Sequence, residues 1–213
     1  CPYGVISVGF RANIGTRDAA SKPAKSEKGV CMPGTAQSGT AQSDTVVLAI
    51  HYQNENCHPD GKVGIGIGED RAWSEVRLAA ARRLFAAARA AGVPIVHTRL
   101  AFPADMRTVI ANTPVFRRFV EIGAWLEGSW GAEFLDGLGP EDGEAVVTHT
   151  RNNVFHNSVL DEVLFPLRPR RLVICGVSTA YAVDHAVRHA ADLGYDVTVA
   201  ADACSTATLR QHE

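Results

Sequence analysis

The stretch Arg171-Leu172-Val173-Ile174-Cys175-Gly176-Val177-Ser178-Thr179-Ala180 passes from one structural period to another. Arg171 to Cys175 is a short β-rich apolar run, Gly176 begins a turn, and a helical pattern runs from Thr179 to Leu193. Gly194 stands where that helix would stop, and Asp196 to Ala200 is a second apolar run. A strand, a helix and a strand in that order form a parallel βαβ unit.

The same alternation extends back along the chain. Further strands are predicted at Val46 to Ile50, Pro94 to Thr98 and Ala145 to Thr148. Helices are predicted at Ala72 to Ala91, Gly131 to Leu138 and Ser158 to Leu167. The runs lack strict apolar and polar alternation, as expected of strands buried on both faces. The predicted fold is therefore α/β, a three-layer α/β/α doubly wound sandwich with a mainly parallel central sheet. Ligands in such sheets sit beyond the carboxyl ends of the strands. His51, Arg99, His149 and the turn from Gly176 to Thr179 lie at those ends.

The chain has 213 residues, of which 46% are hydrophobic and 21% charged, with a net charge of -2. That balance supplies no basic field for a phosphate backbone, so no nucleic acid partner is expected. No apolar run is long enough to span a bilayer, so no membrane partner is expected either. Five cysteines without a C-x-x-C pair read as reduced thiols and predict a cytoplasmic address. Residues 16 to 44 are poor in large apolar residues and contain a tandem Gly-Thr-Ala-Gln-Ser repeat at 34 to 43. Residues 1–44 are accordingly expected to be a flexible amino-terminal extension, and 45–213 the folded domain.

Several familiar motifs fail. Gly64, Gly66 and Gly68 form G-x-G-x-G inside a loop, which is not a phosphate cradle between strand and helix. Ser178 sits in a near-miss of the G-x-S-x-G elbow, but the chain that follows is too short to supply an acid and a histidine on separate loops. His185 and His189 share helical spacing among charged neighbours, the pattern of a solvated face. Cys175 reads as core, and Cys57 has no assigned partner for activation.

Four stretches in order resemble the isochorismatase-like hydrolases, also called cysteine hydrolases. That family has an apolar strand ending in Asp-x-Gln; here Val46 to Ile50 leads to His51-Tyr52-Gln53. Its Lys-x-Arg stretch corresponds to His149-Thr150-Arg151, followed by Phe155. Its Gly-Val-x-Thr-x-x-Cys-Val corresponds to Gly176-Val177-Ser178-Thr179-Ala180-Tyr181-Ala182-Val183, and Gly194-Tyr195 and Asp202-Ala203 follow in place. Gly128 to Glu133 also looks like the family's lead-in to the third strand. The chain ends soon after its fifth strand, where relatives continue with another helix, so the domain is read as truncated there.

The resemblance implies a catalytic trio of Asp, Lys and Cys, replaced here by His51, His149 and Ala182. A methyl group cannot attack a carbonyl. His51 and His149 are then the expected acid-base pair, sharing one proton near pH 7. The amides of Tyr181 and Ala182 are implied as oxyanion donors and Val177–Ser178 as the family's cis peptide. Arg99 or Arg151 is expected to hold an anionic group. Tyr52, Phe155 and Tyr181 are expected to line the cavity, with Ser178 at the ligand and Gln53 orienting His51. The implied activity is hydrolysis of a small carbonyl, amide or vinyl-ether compound without a cysteine nucleophile. The alternative is a silent member that binds a small ligand or partner. No cofactor or metal is implied, and a homo-oligomer, dimer or tetramer, is expected.

Overall fold

The computed structural model describes residues 43–213. Five strands, β1 (Thr45–Ile50), β2 (Ile95–Leu100), β3 (Ala145–His149), β4 (Arg171–Gly176) and β5 (Asp196–Val199), form one sheet in the order β3-β2-β1-β4-β5. Every neighbouring pair is parallel. The chain steps outward from β1 to β3, then returns to β4 on the other side of β1. With crossovers of one hand, that reversal puts the two sets of helices on opposite faces, giving three layers. β1 and β4 thus flank the point at which the strand order reverses.

The helices are α1 (Asn54–Cys57), α2 (Arg71–Ala90), α3 (Pro114–Ile122), α4 (Leu160–Leu167), α5 (Asp184–Asp192) and α6 (Leu209–His212). α2 starts where the Asp70 carboxylate accepts from Trp73 N at 3.0 Å. It buries Leu78, Ala81, Phe85 and Ala88 at helical spacing. The main core lies between the sheet and its helices. A second, smaller core of Leu100, Phe102, Phe116, Phe119 and Trp125 lies under the loops that follow β2.

Two helical expectations need correction. Gly131 to Leu138 is not a helix but only a 3-10 turn over Trp130–Ala132. The segment bonds to the chain after β1 instead: Asn54 N donates to Glu133 O and Leu135 N to Tyr52 O, each at 2.9 Å. Conversely, α3 went unread, although Thr113 caps it, Pro114 opens it and Gly123 closes it in a left-handed conformation. The helix expected from Thr179 begins as a π-helical turn over Thr179–Val183 before α5. Ser43 and Asp44, assigned to the extension, belong to the domain: Asp44 O accepts from Arg170 N at 2.8 Å and Arg171 N at 3.0 Å. The rest of that expectation, residues 1–42, lies outside the described residues.

Gly176 marks the close approach of β4 to β1. It has φ +153°, and a Cβ there would stand 2.5 Å from both Cβ and O of Ile50. Gly176→Ala is therefore expected to destabilise the domain by about 2–4 kcal/mol in urea denaturation. A loss under about 1 kcal/mol would refute the tight β1–β4 contact.

Candidate functional site

His51 follows the last residue of β1 and adopts a left-handed backbone, φ 54°. Its N–H donates to Thr98 O at 3.1 Å, while its carbonyl accepts from Gln53 N at 2.8 Å and from Asn56 Nδ2 at 3.1 Å. The imidazole is thereby turned back across the end of β2. His149 ends β3, in register with Leu100 of β2. The two rings meet: Nε2 of His51 lies 2.8 Å from Nε2 of His149, with centroids 4.8 Å apart. Both residues are 2% exposed.

A contact of that length is a hydrogen bond only if one facing nitrogen carries a hydrogen and the other presents its lone pair. Burial holds the His51 imidazole well below its ordinary pKa; the nearby His149 acts in the same direction, and the Val177 backbone opposes both. Burial also lowers His149, to about 4, against a smaller opposing effect from the Arg151 backbone. The shared hydrogen is therefore an ordinary imidazole N–H, and the pair as a whole is uncharged at neutral pH. Nδ1 of His149 is buried without a hydrogen-bond partner.

A cavity of about 30 Å³ opens beside His51. Ile65, Leu100, Val115, Phe119 and Val177 form its apolar wall. Ser178, Tyr181 and Ala182 reach it from the turn after β4, and the Val177–Ser178 peptide is cis, as the resemblance implies. The hydroxyl of Ser178 has no hydrogen-bond partner. Ala182 presents a methyl group. One expected oxyanion donor is otherwise engaged: the carbonyl of Ser178 accepts from Tyr181 N at 3.3 Å and from Val183 N at 3.1 Å. The amide of Ala182, between them, is not among the donors to that carbonyl.

Five expected ligand contacts fall elsewhere. Tyr52 points into the core, where its hydroxyl donates to Ala203 O and its ring meets Phe85 edge-on. Gln53 does not touch the imidazole. Its amide instead clamps Leu100 O at 2.7 Å, Ala132 O at 2.8 Å and Leu100 N at 2.8 Å, so it acts on His51 only through the backbone. Arg99 precedes the cavity-lining Leu100 on β2 and so projects to the other face, where Nε donates to Thr148 Oγ1 at 3.0 Å. Arg151 donates to Ile110 O at 2.7 Å and lies 4.0 Å over the Phe116 ring, bracing the loop before α3. Phe155 is core and stacks on His189 at 4.9 Å.

Sequence reasoning missed Asn56, Trp125 and Asn152, which all line the cavity. Oδ1 of Asn56 and Nε1 of Trp125 are buried and without hydrogen-bond partners. Trp125 has φ 48°, and its ring packs edge-on against Phe119 at 4.7 Å. Below it Glu55 is hydrogen-bonded to the Trp125 backbone, and burial raises the pKa of its carboxyl. A Cβ at Gly131 would stand 1.8 Å from that carboxylate, so a side chain there would have to displace it. Asn56 lies three residues after Gln53, close enough for the motif to have pointed to it; nothing in the sequence around Trp125 does so.

The described cysteines offer no nucleophile. Burial pushes the Cys57 and Cys175 thiols up to about 12 and raises Cys204 as well. His185 and His189 do not converge: Nδ1 of His185 lies 2.6 Å from Tyr181 O and Nδ1 of His189 lies 3.0 Å from Asn153 Nδ2. Among the described residues no group of three or more His, Cys, Asp or Glu could hold a metal ion, and no helix is long and apolar enough to cross a membrane.

Between about pH 4 and 6.5 the unfolded chain holds a proton on His149 that the folded chain excludes, so stability must fall as pH drops through that window. From pH 7 to 4.5 the wild type is expected to lose about 2–3 kcal/mol more than His149→Leu in urea denaturation. Equal losses would show that His149 is not buried neutral.

The comparisons agree with this architecture. The Isochorismatase domain model matches residues 45–213. Two curated relatives are both ureidoacrylate amidohydrolase RutB. The one from Azorhizobium caulinodans is 29% identical, covering 71% of this chain and 72% of its own. The one from Rhizobium rhizogenes is 28% identical, covering 90% and 78%. An isochorismatase family protein from Desulfovibrio vulgaris superposes with a TM-score of 0.70 at 26% identity, covering 80% of this chain and 86% of that one. With this family match running from the first residue of β1 to Glu213 on a parallel five-stranded sheet, the chain belongs to the isochorismatase family.

Proposed function

We propose that the chain is a hydrolase that cleaves a small amide-type substrate with water as the nucleophile, and that His51 and His149 together move the proton. The observation that carries this reading is the 2.8 Å contact between two buried, uncharged imidazoles, of which His51 lines the cavity and His149 lies behind it. The amide class rests on the relatives named as amidohydrolases. Ala182 closes the covalent route, so the oxygen that adds to the carbonyl carbon must come from water. The imidazole pair takes a proton from that water as the C–O bond forms, and returns it to the nitrogen as the C–N bond breaks. The amide of Ala182 is the candidate donor to the oxyanion. A cavity of about 30 Å³ holds a water and the reacting group. The rest of a substrate would extend past Tyr181, the most exposed of the lining residues.

A second reading, binding without turnover, is favoured by the simultaneous change at all three catalytic positions of the family. The two separate on a panel of amides, ureas, esters and vinyl ethers. Hydrolysis predicts turnover that falls about 10²- to 10⁴-fold in His51→Ala and in His149→Ala, with near-ultraviolet circular dichroism retained. Binding alone predicts no product from any compound, with a rise in melting temperature for those that occupy the cavity. Equal turnover in wild type and both variants would remove the imidazoles from the mechanism.

A further inference from the structure

The turn after β4 is sewn to its surroundings as far as Thr179. Val177 N donates to Ile50 O at 2.9 Å, Ser205 N to Gly176 O at 3.1 Å and Thr179 N to Ser205 O at 3.0 Å. Beyond Thr179 the backbone takes the wider π-helical path, on which Tyr181 N and Val183 N both donate back to Ser178 O. Two residues of that path, Tyr181 and Ala182, line the cavity beside His51. Turns of this kind are rare and are found mostly at functional sites, so whatever fixes this one bears on the cavity.

The side chain of Thr179 is the point of attachment. Its hydroxyl oxygen lies 3.3 Å from Ser205 O and 3.0 Å from Nδ1 of His212 on α6. A carbonyl cannot donate, so both contacts are hydrogen bonds only if the hydroxyl hydrogen goes to Ser205 O and Nδ1 of His212 supplies the other. Burial and the nearby Arg77 hold the His212 imidazole below its ordinary pKa, against Glu213, so the donor is a neutral ring at pH 7. That ring is held from its other side as well. It packs edge-on against Trp73 at 5.1 Å, and the Arg77 guanidinium lies 4.6 Å over the Trp73 ring. α6 itself is fixed at its start, where Thr208 Oγ1 accepts from Gln211 N at 3.3 Å and Ala207 O accepts from Glu69 N at 2.9 Å.

We propose that His212 is a positioning residue for the site: its Nδ1–H holds the Thr179 hydroxyl, and through it the turn that carries Tyr181 and Ala182 along the cavity. His212 does not line the cavity and takes no part in the bond changes. It sets where the amide of Ala182 and the ring of Tyr181 stand. The contact spans 33 residues of sequence and ties α6 and the first turn of α2 to the turn after β4, so the site depends on a bond made outside it. Only the effect on turnover rests on the hydrolytic reading; the hold on the turn is a property of the fold.

The test begins on wild type. Long-range ¹H–¹⁵N spectra of the histidine rings are expected to show His212 as the Nδ1–H tautomer, with His212→Asn assigning its peaks. The Nε2–H tautomer, or a mixture, would overturn the proposal, and this reading holds even if a variant fails to fold. Amide hydrogen exchange then compares variants. His212→Phe keeps a ring against Trp73 and Thr179→Val keeps the shape, but both lose the bond; His212→Asn keeps an N–H donor. Val183 N–H is expected to exchange about tenfold faster in His212→Phe and in Thr179→Val, no faster again in the double variant, and near the wild-type rate in His212→Asn, with Val47 N–H unchanged throughout. Equal acceleration in His212→Phe and His212→Asn, or effects that add in the double variant, would reduce His212 to packing and overturn the proposal. With an amide that is turned over, His212→Phe is expected to lower kcat about tenfold with KM within about twofold, and His212→Asn to restore it. The expected exchange pattern without turnover of any compound would sink the hydrolytic reading and leave this one intact. Turnover with wild-type exchange in His212→Phe would do the reverse.

Discussion

Two buried imidazoles that share one hydrogen set the terms for everything around them. Each ring satisfies a nitrogen of the other, so neither needs a charged neighbour, and each would leave an unpaired polar atom if its partner were lost. Holding them in contact requires the end of β1 to turn sharply. The left-handed backbone of His51 supplies that turn, and the Thr98 carbonyl, Gln53 N–H and Asn56 amide bind it on three sides. The sheet supplies the other half by setting His149 in register at the end of β3. β2, which lies between the two strands, ends in Leu100, and both main-chain groups of that residue are held by the side chain of Gln53.

The sequence was legible where a local period decides structure. Five strands were readable because each is a short apolar run ended by turn residues, and the strand ends carrying His51 and His149 followed from the fold. It misled where a long-range bond wins. Gly131 to Leu138 has the composition of a weak helix, but the backbone after β1 needed partners, and Glu133 and Leu135 provided them. Strand alternation explains the misplaced arginine on β2: with Leu100 facing the cavity, its neighbour Arg99 must face away. Trp125 could not have been read at all. Its place depends on a left-handed residue in a loop, on a buried carboxylate at Glu55 and on a glycine at 131 that leaves room for it.

Of the two arginines expected at the ligand, neither lines the cavity. Both are committed to the scaffold, one to the sheet surface and one to the roof over α3, so the pocket itself is neutral.

The replacement that the resemblance implies, His51, His149 and Ala182 in place of Asp, Lys and Cys, amounts under the proposed reading to one electrostatic change. In the trio that the resemblance implies, Asp with Lys would give a pair of opposite charges, and the ammonium would lower the pKa of the neighbouring thiol. Two neutral histidines preserve the overall neutrality of the site but provide no cation. In this dry environment a thiol would be pushed upward, as burial pushes Cys57 and Cys175 to about 12, and would hold almost no thiolate at neutral pH. Under the hydrolytic reading, the chemistry works through groups that are uncharged in the resting state. The neutral imidazole pair and the neutral lining of the cavity both meet that condition.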